Sequence, residues 1–159
     1  MAVEVKIVLT ILKLYREGFN EKVSIGESIE YRGDKYIIIR ILKINKHYFS
    51  KSISLTVRVL VQKVGDLSDY YNCKREVIVD NRYDQSKDDK RIIKIGDIVF
   101  PEKGIAYEVV SINSFRYEFV DLVVEYSVRL IVPWSKEEIN EALKDERKST
   151  FKVLEGEKK

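Results

Sequence analysis

"VSIGESIEYRGDKYIII" (Val23–Ile39) and "IKIGDIVFPEKGIAYEVV" (Ile93–Val110) are two versions of one phrase in a chain of 159 residues. Gly26 and Gly96 stand 70 positions apart, whereas Tyr36 and Tyr107, and later Arg58 and Arg129, stand 71 apart. One inserted residue therefore aligns the halves. With that gap Ile25, Gly26, Gly33, Tyr36, Ile41, Val57 and Arg58 meet Ile95, Gly96, Gly104, Tyr107, Ile112, Val128 and Arg129. These identities exceed the roughly two or three that chance supplies in a chain rich in Ile, Val and Lys. Similar pairs extend the match: Glu27 with Asp97, Ile29 with Val99, Tyr48 with Phe119, Ile53 with Val124, and Val59–Val61 with Leu130–Val132.

The shared pattern is the alternation of apolar and polar residues that sends successive side chains to opposite faces of a β-strand. "SISLTVRVLVQ" is expected to bury Ile53, Leu55, Val57, Val59 and Val61 and to expose Ser52, Ser54, Thr56 and Arg58. "VVEYSVRLIV" repeats this, with Val124, Tyr126, Val128, Leu130 and Val132 inward and Glu125, Ser127 and Arg129 outward. The N-terminal "VEVKIVLTI" adds an alternating set from Val3 to Ile11, and "EVIVD" (Glu76–Asp80) takes the same place before the second unit. "YIIIRILKI" is apolar on both faces while its counterpart "YEVVSINSF" is more polar, so the first hairpin strand is expected to lie deeper. "RGD" (Arg32–Asp34) and "EKG" read as hairpin tips where glycine accepts positive φ.

The fold expected is mainly β: two tandem or interleaved β units, as barrel or sandwich, from an internal duplication, plus one C-terminal helix. The first unit spans residues 1–70, the second 71–134, and the helix and tail 135–159, with the boundary in the polar, turn-rich region of residues 65–75. Pro133 stops the last strand, and Ser135 with Glu138 forms a capping box for a helix from about Lys136 to Lys148. Trp134 is expected to cover the open end of the β core and pin that helix.

The phrase of a short strand, "IG", a glycine turn, then "Y" and an alternating strand resembles the opening of small β-barrels of the Src-homology or Tudor kind. The matching residues are Ile25, Gly26, Gly33 and Tyr36, then Ile95, Gly96, Gly104 and Tyr107, with Leu55 and Tyr126 in the later strand. This resemblance implies a recognition module for peptides or nucleic acid, or a joining (stopper) protein of the phage head-tail neck.

Composition excludes more than it selects. Charge is nearly balanced, 29 basic against 26 acidic residues, and the net +3 is too small for polyanion binding by long-range field alone. One cysteine and one histidine cannot supply the usual tetrahedral zinc set. The longest uncharged N-terminal run, "IVLTIL", is too short for a signal-peptide core or a membrane span, so the chain is expected inside the cell or in a virion, with no membrane partner. The abundance of Lys, Glu and Ile beside scarce Gln, Met and Cys points to a hot habitat. No glycine-rich phosphate loop, no "HExxH" and no Ser-His-Asp set is present, and the expectation is a protein that is not an enzyme and needs no cofactor.

The densest chemistry is "RILKINKHYFSK", where Arg40, Lys43, Lys46, His47 and Lys51 surround Tyr48 and Phe49. Cations for phosphate and rings for stacking make this a candidate nucleic-acid or partner-binding loop, against the plainer reading of aromatic anchors with lysines along strand ends. The twin segment "SINSFRYEFVDL" carries Glu118 and Asp121 instead. One basic and one acidic hairpin point to copies joined head to tail, basic end to acidic end. Cys73 reads as a passive thiol, and Tyr70 and Tyr71 as packing residues of the linker. Asp66, Asp69, Asp84, Asp88 and Asp89 read as solvated loop carboxylates. The favoured function is a structural or assembly protein, in the setting of a virus with a thermophilic host, that self-associates or joins structural proteins. The rival is a nucleic-acid-binding module using the first hairpin.

Overall fold

The computed structural model of the chain describes residues 8–49, 51–65, 73–85 and 91–156. It is mostly β, with two four-stranded sheets, each curled into a half-barrel, and one C-terminal helix. The first sheet contains β1 (Leu9–Glu17), β2 (Ser28–Tyr31), β3 (Asp34–Phe49) and β4 (Ser52–Lys63), and the second contains β5 (Glu76–Tyr83), β6 (Ile98–Glu102), β7 (Ile105–Glu118) and β8 (Asp121–Leu130). Both are antiparallel and both follow one order, β1-β4-β3-β2 and β5-β8-β7-β6. Helix α1 (Lys136–Gly156) belongs to the same compact unit as the first sheet, and the second sheet forms the other unit.

The repetition reaches individual hydrogen bonds. Gly26 N–H donates to Ile38 O and Gly96 N–H to Val109 O, each at 2.8 Å, and Ile38 and Val109 return bonds to Glu27 and Asp97 at 2.9 Å. Gly26 and Gly96 both have φ of 95°, a left-handed backbone that glycine alone enters without a Cβ penalty. The Glu27 carboxylate accepts from Ser24 N–H and that of Asp97 from Lys94 N–H, so each "IG" turn is tied by its own acidic residue.

β3 bulges between Ile38 and Arg40 and again between Ile41 and Lys43. β7 bulges between Val109 and Ser111 and between Ile112 and Ser114, the aligned positions. A bulge adds a residue to one strand and sharpens its twist, so paired bulges bend both hairpins at the same place. The inserted residue that aligns the halves sits in β6, where the ladder slips between Val99 and Glu102 around Pro101, a residue with no N–H for a ladder.

The later part of the sequence alignment is corrected by the register. Arg58 pairs with Lys43, and the β7 equivalent of Lys43, Ser114, pairs with Glu125. The structural counterpart of Arg58 is therefore Glu125, and Val57 answers to Val124; neither Arg129 nor Val128 is the match. Both arms of the first hairpin run two residues longer beyond the bulges than those of the second, which slips β4 against β8 by four positions. An even slip keeps every side chain on its face, so alternation alone does not register it.

Inward residues form one cluster per sheet. Ile38, Val57, Val59 and Val61 pack with Leu12, Leu14, Ile41 and Leu55 in the first, and Tyr83, Tyr107, Val109, Val124, Tyr126, Val128 and Leu130 pack together in the second. Ile37, Ile38 and Ile39 are all buried, whereas Glu108 and Val110 are half-buried, so the first hairpin strand does lie deeper. Three expectations change. β1 extends to Glu17, and its inward residues against the cluster are Leu12 and Leu14; residues 1–7 lie outside those described. Val132 is exposed because β8 ends at Leu130. Thr56 is buried beneath the ring of His47, whose Nε2 lies 3.2 Å from the threonine hydroxyl.

The helix starts as expected, with Ser135 Oγ accepting from Glu138 N–H and the Glu138 carboxylate accepting from Ser135 N–H, and it continues well past Lys148. Gln62, 0% exposed, clamps its entry: the side-chain amide donates to Trp134 O at 2.9 Å and accepts from Trp134 N–H at 2.7 Å. Both polar atoms of a buried amide are thus satisfied, which offsets the cost of burying it. Ser28 donates to Glu146, and the rings and methyl groups of Trp134 and Ala142 lie beside Gly26.

Candidate functional site

Residues directly opposite in an antiparallel ladder share a face, so the register decides which candidate side chains can act together. Lys43 pairs with Arg58, which pairs with Lys13, and this row lies on the face of the first sheet away from its apolar cluster. Arg40 and His47 share that outer face, through their pairing with Leu60 and Ser54. Lys46 and Tyr48 pair with Leu55 and Ile53 and so lie on the inward side, near the hairpin end. The "RILKINKHYFSK" residues are therefore divided between two faces. Lys51 is exposed at the tip, beside Ser50, which is outside the described residues.

The register also assembles what sequence order conceals. Lys13, Arg58 and Lys43 come from three strands and are all exposed. Adjacent strands lie about 4.8 Å apart, so the backbone positions that carry these three cations stand side by side at roughly that spacing. Among the described residues none of the three has a carboxylate partner. Like charges directly opposite one another destabilise a sheet, and no carboxylate among the described residues compensates this row.

The equivalent row of the second sheet has the opposite sign. Asp80 of β5 pairs with Glu125 of β8, which pairs with Ser114 of β7, again on the face away from the core. Asp80 has Arg116 at 3.5 Å, while Glu125 has no cationic partner among the described residues. Toward the tip the carboxylates are neutralised locally: Arg82 binds both Glu118 and Asp121, and Arg116 binds Glu118 at 3.1 Å. The hydrogen bond from Arg82, then that from Arg116, holds the Glu118 carboxyl below its usual range. The acidic counterpart read from Glu118 and Asp121 is thus neutralised within its own unit, and in the row one step nearer the base of the hairpin Glu125, beside the Arg116-paired Asp80, carries the charge that no cation among the described residues meets.

The second hairpin ends in exposed apolar residues. Phe115 and Tyr117 pair with Val124 and Leu122, continuing the inward face beyond the core, and both are largely exposed. The loop closing this hairpin is Phe119–Val120, and Phe119 is fully exposed with φ of 57°. The first position of such a turn usually takes glycine or asparagine, and a phenylalanine there costs on the order of 1 kcal/mol. Alternation predicts one apolar face for this strand but not that its last turn outruns the core.

Each curled sheet is open between its two edge strands. The gap between β1 and β2 holds a cleft of about 490 Å³, lined by Leu12, Leu14, Arg16, Ile29 and Tyr31 among others. The equivalent gap between β5 and β6 holds about 290 Å³, with Val79, Asn81, Phe100 and Tyr126 in its wall. Burial, then the hydrogen bond shared with the Tyr83 hydroxyl at 2.7 Å, pushes the Tyr126 hydroxyl well above the usual tyrosine range, which leaves it an uncharged structural group.

Cys73 is half-buried against the second cluster. Tyr70, Tyr71, Asp66, Asp69, Asp88 and Asp89 lie outside the described residues. Among the described residues no group of three or more His, Cys, Asp and Glu is placed to hold a metal ion, and no helix is long and apolar enough to cross a membrane. No family model, curated protein or solved structure matches the chain.

Proposed function

We propose that this chain is a non-catalytic assembly protein that associates with copies of itself or joins other structural proteins. The observation that carries the reading is the end of the second hairpin, where Phe115, Tyr117, Phe119 and Val120 are all exposed. Contiguous exposed apolar side chains mark interaction surfaces, and a strained phenylalanine in open solvent contributes nothing to its own fold. The open sheet edges add further surface for pairing. The resemblance to joining proteins of the phage neck agrees with this role, and the composition favours a virion from a hot environment as its setting. The test is sedimentation velocity over a concentration series. Species larger than the monomer are expected, and the triple variant Phe115→Ser, Tyr117→Ser, Phe119→Ser is expected to lose them while keeping its β-sheet circular dichroism.

Nucleic-acid binding is the second reading, and the unpaired row of Lys13, Arg58 and Lys43 favours it. Gel shifts with single- and double-stranded substrates decide it. Absence of salt-sensitive binding, or binding unchanged after charge reversal at Lys13, Arg58 and Lys43, removes this reading.

A further inference from the structure

We propose that the outer face of the first sheet docks onto the outer face of the second sheet of another copy, setting the row Lys13–Arg58–Lys43 against Asp80 and Glu125. This inference rests on the assembly reading and names its partner. Three observations select a second copy over other occupants. The two rows occupy equivalent register positions in sheets of one topology, so their charges are spaced by the same strand separation. Their signs are opposite, and Lys13, Arg58, Lys43 and Glu125 have no partner of opposite charge among the described residues. An exposed apolar residue lies next to each row on the same face, Tyr15 beside Lys13 and Ile78 beside Asp80.

Such a pairing removes the like-charge cost that each row carries alone. Asp80 would be shared between the arriving cation and Arg116. Nucleic acid fits less well, because a phosphate-tracking surface gives no reason for an anionic row at the same place in the twin sheet. The contact is heterologous: each copy offers one basic and one acidic face, so association propagates as a ring or a filament.

The test is sedimentation velocity on the full chain at low and high salt, for wild type, Arg58→Glu, Glu125→Lys and an equimolar mixture of the two variants. Wild type is expected to associate at low salt and dissociate at high salt. Each variant alone is expected to associate about 30-fold more weakly or less, because reversal sets like charges opposite each other. The mixture is expected to recover association, since the acidic row is unaltered in the Arg58→Glu variant and the basic row is unaltered in the Glu125→Lys variant, so these two faces meet; recovery also demonstrates that both fold. Association unchanged in both variants overturns the docking, and if the Phe115, Tyr117, Phe119 variant dissociates in the same experiment, the assembly reading stands without it. Wild type that remains monomeric at every concentration and salt removes both. A salt-sensitive gel shift abolished by Arg58→Glu, in a protein that does not self-associate, reassigns the row to nucleic acid and also overturns the proposal.

Discussion

The two sheets of this chain share their strand order, their bulges and their glycine turns, yet almost none of their outward chemistry. Lys13 and Arg58 stand where the second sheet has Asp80 and Glu125, and buried Gln62 stands where it has exposed Arg129. Inward positions changed less, Val57 and Val61 answering to Val124 and Val128. Where the outer face is exposed, as at Lys13, Arg58 and Asp80, a backbone held by ladder hydrogen bonds tolerates exchange of its side chains, because exposed side chains contribute little to stability. Gln62, in contrast, lies on the buried stretch of that face. What diverges is then free to be shaped by whatever the surface meets.

The sharpest break in the comparison is at Gln62. Gln62→Leu leaves the N–H and C=O of Trp134 without their partner and is expected to cost about 3 kcal/mol in urea unfolding. Arg129→Leu at the equivalent position removes only an exposed ion pair with Glu76 and is expected to change stability by less than about 0.5 kcal/mol. Equal losses would mean that the helix clamp is not what separates the two positions.

Tyr126 takes the place of Val59, and only the second core carries a hydroxyl pair. Tyr126→Phe is expected to cost about 1 kcal/mol at neutral pH. The tyrosine is held neutral in the fold, with its titration raised above 10.0, so its stabilising contribution is complete below that pH and is lost as the pH climbs past it. Alkaline unfolding followed by circular dichroism should therefore move to higher pH in the phenylalanine variant.

The glycine turns test the sameness instead of the difference. Gly26→Ala and Gly96→Ala meet the same φ and are expected to cost about 1 kcal/mol each. A Cβ at residue 26 would meet Ala142 at 3.9 Å, an ordinary contact, and one at residue 96 meets nothing within 4 Å. A clearly larger loss at Gly26 would mean that the helix sits closer to the turn than those distances allow.

The smallest effect is expected at Glu118. Its pairing with Arg82 and Arg116 is present at neutral pH and fades as the pH falls below the ordinary carboxylate value of 4.5 and through its lowered one. Glu118→Gln should lower stability slightly at neutral pH and low salt, and not at all in acid.

Much of the architecture was legible because alternation, "IG" and the paired glycines are local signals. The capping box at Ser135 and Glu138 was legible for the same reason. The four-position slip between β4 and β8 was not, since "SISLTVRVLVQ" and "VVEYSVRLIV" keep their inward sets under any even displacement. The cationic row was half visible: Lys43 belonged to an evident basic loop, and Arg58 was read as outward. Lys13 was missed because it is 45 residues from Arg58 along the chain and adjacent only through the register. Glu118 and Asp121 stood out by sequence proximity, and the arginines that neutralise them arrive partly from β5.

The twin irregularities in β3 and β7 fall at aligned positions, between Ile38 and Arg40 as between Val109 and Ser111, and between Ile41 and Lys43 as between Ile112 and Ser114. Alternation arises wherever a sheet has one dry side, but a bulge re-aims a strand at one fixed point. The same bend leads into Lys43 in one ribbon and Ser114 in the other. Curvature therefore dictates where an outward side chain stands and leaves its sign free, so two ribbons of one shape are able to carry opposite electrical messages.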